Sequence, residues 1–342
     1  FCADSLCRLF YKMHFQSDCA GKESKDMITL KEVCKYYGEI KAVENLDIHI
    51  SEGETCVFLG KSGCGKSTTL RMINNLISPT SGEIYVNKKS VNAYVKEELR
   101  RGIGYAIQNV GLFPYMNVEK NISIVPQLLK WDKKKITARV EELLDIVGLD
   151  VDRYIHKYPS ELSGGEAQRI GVARALAADP PIILMDEPFG AVDPINRERL
   201  QKEFLKIQKK LHKTIVFVTH DIEEAVRMAD KIAIMEQGML QNYDRPECII
   251  AGDNKEFIKE FLGNDYYLKL LLRYDVSDYM TQIADMKEEK PVSRVMQKAT
   301  LQDALSMMIS DGTKSALIVD DNNNGQGMIS LERILGIMES NG

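Results

Sequence analysis

The chain of 342 residues is 44% hydrophobic and 28% charged, a composition that suits a globular protein with one large core and a smaller module. Its 45 basic and 50 acidic side chains leave a formal charge of −5, which excludes a strong global field for nucleic acid. No apolar run approaches the roughly 18 to 20 residues that span a bilayer, so a membrane role would have to come through partner subunits.

Residues 1–26, FCADSLCRLFYKMHFQSDCAGKESKD, show neither repeat nor clear period, and Arg8, Lys12 and His14 break the apolar stretch that a signal peptide would need. They read as an N-terminal extension, disordered or introduced in cloning. MITLKEV, from Met27, reads as the first strand. TCVFLG, over 55–60, reads as a buried strand and 66–76 as a helix. Between them GKSGCGKS matches G-x-x-x-x-G-K-[ST], whose glycines let successive backbone N–H groups turn inward on a phosphate chain. Lys66 would reach the β- and γ-phosphates, and Ser67 would offer a hydroxyl to Mg²⁺. Cys64, inside this loop, reads as a tolerated small residue or as an oxidation-sensitive thiol. The seven cysteines contain no C-x-x-C pair, and their odd number speaks for a reducing, cytoplasmic setting.

LSGGEAQRIGVARALAADP, over 162–180, starts with a serine and two glycines ahead of a helical pattern that stops before Pro180. Such a start is a second anion site. IILMDE, over 182–187, is a continuous apolar run ending in two acids, as in a parallel strand buried on both faces. At that strand edge Asp186 would reach Mg²⁺, and Glu187 would polarise a water aimed at the γ-phosphate. TIVFVTH forms another such strand and ends on His220. Farther on, 253–274 reads as helical, with an apolar stripe of Phe257, Phe261 and Leu262. The tail then follows a helix, strand, turn, strand, helix order, in which Asp320 and Asp321 read as a solvated turn.

With these motifs in this order, the chain resembles an ATP-binding-cassette (ABC) ATPase from residue 27 to about 265. The resemblance implies an α/β fold: a P-loop ABC nucleotide-binding domain with a RecA-like core, an antiparallel β subdomain and a helical subdomain. A linker at 266–275 and a small C-terminal α+β domain at 276–340, similar to one cystathionine-β-synthase-like (CBS) repeat, would follow. The implied ATP site comprises Tyr37 on the adenine (Tyr36 being the less favoured choice) and Gly60, Lys61, Ser62, Gly63, Cys64, Gly65, Lys66, Ser67 and Thr68 on the phosphates. Gln108 would sense Mg²⁺ and the attacking water, with Ser67 and Asp186 as the other metal positions; Glu187 would be the base and His220 the switch on the γ-phosphate. Ser163, Gly164, Gly165 and Glu166 would face the ATP of a partner subunit, so a homodimer is implied, and Asp193 would lie in the D-loop. Two positions depart from the family: Glu166 replaces the glutamine of LSGGQ, and GAVD replaces the usual SALD-type turn.

The stretches IGYAIQNVGLFPYMNVEKNI, ELSGGEAQRIGVARALAADPPIILMDEPFGAVDPINRERLQ and THDIEEAVRMADKIAIM resemble the ATPases of osmoprotectant (glycine betaine, choline, carnitine, proline betaine) importers. This implies integral-membrane permease subunits, an extracytoplasmic substrate-binding protein reached indirectly, a place on the cytoplasmic face of the membrane, and no nucleic acid. Leu112, Phe113 and Met116 would meet the permease or belong to the helical core. CBS-like repeats in such ATPases are linked to ionic-strength sensing or to cyclic di-AMP or another adenosine-containing ligand. One repeat would need a second subunit's copy, or residues outside this sequence, to complete a pocket. Two alternatives stay open: an importer of another small organic cation or zwitterion, and a soluble ABC protein outside transport.

Overall fold

The computed structural model describes residues 26–107, 111–190, 192–193, 197–198, 200–202, 204–205, 208, 212–251, 261, 263, 265–282 and 293–340. The described residues fall into two compact units, one within Ser24–Tyr243 and one within Asp244–Gly342.

Alternation builds the first sheet. In β2 (Ile40–Ser51) the buried Leu46, Ile48 and Ile50 alternate with the exposed Asp47 and His49, so one face meets the core and one meets water. β2 pairs antiparallel with β1 (Asp26–Tyr37), and the sheet continues through β4 (Ser81–Val86) to β5 (Lys89–Ser90). Asp26, assigned from the sequence to the extension, opens β1; the rest of that extension lies outside the described residues.

The second sheet has six strands in the order β10-β9-β3-β8-β7-β6. β3 (Thr55–Leu59), β7 (Ile182–Asp186) and β8 (Thr214–Thr219) are buried at every position, as expected of parallel strands covered on both faces. Register places Leu59 beside Thr219 and Asp186 beside Val218. Three strands running the same way thus deliver the phosphate loop, the acid pair and His220 to one edge of the sheet. β6 (Ile103–Ala106) and β9 (Lys231–Glu236) extend the parallel set outward. β10 (Met239–Asp244) ends it.

Among the described residues, α1 (Lys66–Ile73) and α2 (Lys96–Arg101) pack on this sheet, while α3 (Val118–Leu128), α4 (Lys133–Ile146) and the short α5 (Val151–Tyr154) pack as a helical group. They are joined by α6 (Gly164–Leu176) and α7 (Ile222–Met228). α1 is shorter than the 66–76 the sequence suggested, because Asn75 takes φ +47° and Arg100 Nη2 donates to its carbonyl at 2.7 Å. Likewise α6 stops at Leu176, ahead of Asp179 at φ +53°.

In the C-terminal unit, α8 (Pro246–Ala251) packs with later residues: Glu247 pairs with Arg273 Nε at 2.8 Å and accepts from the Tyr274 hydroxyl at 3.3 Å. That is why the division falls at 243/244, earlier than the boundary at 265 drawn from the sequence. Of the helix read over 253–274, the described residues are 261, 263 and 265–274: Phe261 is helical and half-buried, and α9 (Tyr266–Leu270) runs into a 3₁₀ turn; Phe257 and Leu262 lie outside the described residues. α10 (Val276–Tyr279) leads to a sheet in the order β11-β14-β13-β12, made of β11 (Thr281–Gln282), β12 (Ser293–Met296), β13 (Ser315–Val319) and β14 (Gly325–Ser330). α11 (Leu301–Asp311) and α12 (Leu331–Ser340) complete the expected helix, strand, turn, strand, helix order. Leu301, Leu305, Ile318, Ile329 and Ile334 close a separate core. Asp320 is a turn acid, its Oδ1 accepting the N–H groups of Asn322 and Asn324 at 2.9 and 2.8 Å.

Candidate functional site

The loop after β3 is set by steric necessity. Gly65 has φ +100°, and a Cβ there would lie 2.2 Å from the Ala42 carbonyl oxygen of β2, so only glycine fits. The same contact brings the β1–β2 hairpin end close to the loop, since Tyr37 pairs with Ile40 there. Tyr37 is half exposed, its ring offered to solvent with Lys35 Nζ 5.0 Å from the centroid.

Inside the loop Lys66 is buried, and its ammonium donates to the carbonyls of Gly60 at 2.6 Å and Lys61 at 2.9 Å, with Cys64 Sγ at 3.6 Å. The charge is thus held among weak acceptors that an anion can displace. α1 begins at Gly65 with no side-chain cap and no acid in its first turn, which leaves its positive dipole end uncompensated. Ser67 Oγ donates to Asp186 Oδ1 at 2.8 Å, which puts two hard oxygen donors side by side. Burial pushes the Asp186 carboxyl up, while the Ser67 bond and the Arg71 guanidinium pull it back.

β7 ends at Asp186, one residue short of the strand drawn from the sequence. Glu187 turns out of it at φ +48°, which swings its carboxylate toward β8. Its Oε1 lies 3.2 Å from His220 Nδ1. Its N–H donates to Val218 O at 3.0 Å, and its carbonyl accepts from Gln168 Nε2 at 2.6 Å and from Gly190 N at 3.2 Å. Asp193 lies beyond, its carbonyl accepting Arg197 N–H at 2.8 Å. Gln108 lies outside the described residues.

The Ser163 end is built differently. Ser163 caps α6 in a reciprocal box: its Oγ accepts Glu166 N–H at 3.3 Å, and Glu166 Oε2 accepts Ser163 N–H at 2.7 Å. Glu166 Oε1 accepts the Tyr154 hydroxyl at 2.6 Å. That hydroxyl and the Ser163 N–H hold the Glu166 carboxyl down at about 2. Both carboxylate oxygens therefore act as acceptors, whereas a glutamine would keep one acceptor for the Ser163 N–H and meet Tyr154 with its NH₂, so that the hydroxyl would have to turn from donor to acceptor. Among the described residues nothing lies within 4 Å of a Cβ placed at Gly164.

Four contributors escape sequence reasoning. Gln168, Tyr154 and Arg174 act through contacts across elements that no short motif marks. Asn121, fully buried in α3, ties the segment 113–117: its Oδ1 accepts Phe113 N–H at 2.8 Å and its Nδ2 donates to Met116 O at 2.8 Å. Arg174 Nη1 donates to Gly111 O at 2.7 Å beside a cavity of about 380 Å³ lined by Ile107, Phe113, Ile124 and Val125. Of the three apolar residues offered for a partner, Phe113 lines this cavity, whereas Leu112 and Met116 are half-buried outside it.

A phosphate-binding loop, an Asp-Glu strand end and a histidine on one edge of a parallel sheet define a P-loop nucleotide-hydrolysing cassette. The comparisons agree: the ABC transporter family model matches residues 43–190. The osmoprotectant import ATP-binding protein OsmV of Salmonella typhimurium is 44% identical over 308 residues, 89% of this chain and 79% of the relative. The glycine betaine/carnitine/choline transport ATP-binding protein OpuCA of Bacillus subtilis is 46% identical over 309 residues, 90% of this chain and 79% of the relative. Among solved structures, a dimeric post-hydrolysis state of the ATP-binding cassette MJ0796 bound to ADP and Pi superposes with a TM-score of 0.60 at 35% identity, covering 64% of this chain and 98% of that one. The chain belongs to the ABC transporter family and is an ABC-type ATPase.

Proposed function

We propose that the protein is the ATP-hydrolysing subunit of an importer for osmoprotectants of the quaternary-amine type. It works as a homodimer on the cytoplasmic face of the membrane beneath separate permease subunits. The observation that carries the engine is the Glu187 carboxylate held 3.2 Å from His220, beside the Ser67–Asp186 pair at the mouth of the phosphate loop. The solute rests on the relatives' printed roles in osmoprotectant and in glycine betaine, carnitine and choline transport.

In this reading the N–H groups of Gly60 to Thr68 and the Lys66 ammonium take the phosphates, and Tyr37 stacks on adenine. Ser67 and Asp186, with Gln108 expected beside them, would hold Mg²⁺, which neutralises charge on the β- and γ-oxygens. Glu187 accepts a proton from the water that attacks the γ-phosphorus, as the bond to the β-phosphate oxygen breaks and ADP leaves. His220, beside Glu187 on the same sheet edge, orients the γ-phosphate. Ser163, Gly164, Gly165 and Glu166 meet the partner's ATP, with Asp193 at the same seam. The empty space over Gly164 supports this, because packing within the chain makes no demand for glycine there. The cavity beside Phe113 and Arg174 would receive a permease segment.

The C-terminal residues 276–340 act as one CBS-like domain for dimerisation or regulation. Met307 on α11 and Leu335 on α12 are exposed at 42% and 44%, apolar groups suited to contact a second copy that would complete a pocket for cyclic di-AMP. Calorimetric titration of cyclic di-AMP into the dimer, with no heat evolved, would leave dimerisation alone.

Glu187→Gln should lower turnover by roughly 10² to 10⁴ and trap an ATP-bound dimer. Hydrolysis at the parental rate would remove the base assignment. Uptake of radiolabelled betaine by the complex reconstituted with its permease tests the solute; flat uptake with active ATPase would transfer the engine to another small cation or zwitterion.

A further inference from the structure

α6 carries two different contacts on one rigid rod. At its N-terminus Ser163 and the glycines after it form the surface assigned to the partner's nucleotide. Farther along, Gln168 is 5% exposed, and its Nε2 donates to the main-chain carbonyl of Glu187 at 2.6 Å. The carbonyl it holds belongs to a residue in an unusual conformation. Glu187 has φ +48°, a region that non-glycine side chains occupy only where the surroundings over-determine it. The surroundings here are identifiable. Val218 O takes the Glu187 N–H at 3.0 Å, Gly190 N reaches the Glu187 carbonyl at 3.2 Å, and Gln168 reaches the same carbonyl from the helix side.

Two of these restraints come from the strand β8 and from the turn just after Glu187, both parts of the same sheet edge. Gln168 alone among the three comes from α6. Because a backbone carbonyl cannot move without tilting its peptide plane, a shift of α6 changes the direction in which the Glu187 side chain leaves the backbone. The carboxylate stands 3.2 Å from His220, and displacement of a reacting group by about 1 Å is enough to cost on the order of 10²-fold in rate.

We propose that Gln168 is a positioning residue for Glu187, and that through it α6 transmits the position of its signature end to the base of the same subunit. The inference rests on the reading of Glu187 as base and Ser163 as the contact to the partner's nucleotide. It deepens that reading by assigning the link between the two composite sites. When the partner's nucleotide seats the N-terminus of one subunit's α6, that subunit's own Glu187 is aligned. The two sites then fire in a coupled manner, with Gln168 as the physical connection.

The test uses the full-length protein and steady-state hydrolysis measured against ATP concentration. Gln168→Met keeps the length and volume of the side chain and removes the N–H donor; Gln168→Leu is the second variant should the first fold poorly, with folding checked by thermal melting. The expected result is a fall in kcat of about tenfold or more, a KM for ATP within about twofold of the parent, and a Hill coefficient reduced toward 1. In a Glu187→Gln background the same replacement should change the residual turnover by less than about twofold, because the group it positions is already gone. Parental kcat in a folded Gln168→Met protein would overturn the inference, as would an equal fall in both backgrounds, which marks a purely structural tie. Parental turnover in Glu187→Gln would instead remove the base reading itself, whereas a dead Glu187→Gln protein beside a fully active Gln168→Met protein removes only this inference.

Discussion

The cassette contains two helix starts that look alike in sequence, glycine and serine ahead of an apolar run, yet the structure treats them in opposite ways. α1 begins bare: Gly65 at φ +100° provides no side-chain cap, its first turn has no acid, and a buried Lys66 adds positive charge. α6 begins satisfied, with Ser163 and Glu166 exchanging hydrogen bonds and an acid placed on the dipole. A helix start that leaves its N–H groups and its dipole unmet is stabilised by an incoming anion, and one that caps itself is stable without it. The first thus suits the proposed capture of the phosphates in its own subunit. The second keeps its shape in the absence of nucleotide, as the proposed surface for a partner's ATP would have to before dimer closure.

The largest expected effect breaks the bare end. Lys66→Ala removes the ammonium that now sits against the carbonyls of Gly60 and Lys61, and with it the charge that would follow the β- and γ-phosphates. Hydrolysis should fall by at least about 10²-fold, with ATP binding weakened as well. Titration of a fluorescent ATP analogue alongside the rate checks this. Unchanged binding would mean that the uncapped helix end alone holds the phosphates.

A matched pair of glycine replacements separates the two ends further. Gly65→Ala forces a Cβ to 2.2 Å from Ala42 O at a left-handed position, and should cost about 3 kcal/mol or more in urea denaturation. Gly164→Ala meets open space at the first position of α6, and should change stability by less than about 1 kcal/mol. Yet its turnover should drop, because on the proposed reading the methyl group would face the partner's nucleotide. If Gly164→Ala leaves both stability and turnover unchanged, the signature end does not approach ATP closely.

Much of this contrast was legible before any coordinates. The order of GKSGCGKS, LSGGE, IILMDE and the strand ending at His220 marks the sheet edge, since continuous apolar runs ending in chemistry are the pattern of buried parallel strands. Illegible were the contacts that depend on one side chain crossing to another element. Gln168 reads as a polar position in a helical pattern, and only the fold places it on the Glu187 carbonyl. Asn121 reads as a weak helix residue, yet it is fully buried and ties down the segment before it. The grouping of α8 with later residues escaped for the same reason, since it depends on the pairing of Glu247 with Arg273.

The smallest effect concerns why the capped end carries Glu166 where the family has glutamine. Tyr154 and the Ser163 N–H both donate to it, at 2.6 and 2.7 Å, so the carboxylate takes two charge-assisted bonds that a glutamine could match only with the Tyr154 hydroxyl reversed and no charge. Glu166→Gln turns one acceptor into a donor and should cost about 1 kcal/mol, and Tyr154→Phe should remove most of that penalty. A double-mutant cycle in urea measures the coupling. The pH dependence has a definite sign: the carboxyl is held at about 2 in the fold against an ordinary 4.5, so its contribution is complete above about 4.5 and is lost as pH falls toward 2. Stability of the parent should therefore decline through that window more steeply than stability of Glu166→Gln. Parallel curves would mean that Glu166 is no better bonded in the folded chain than in the unfolded one, and the departure from LSGGQ would then owe nothing to Tyr154.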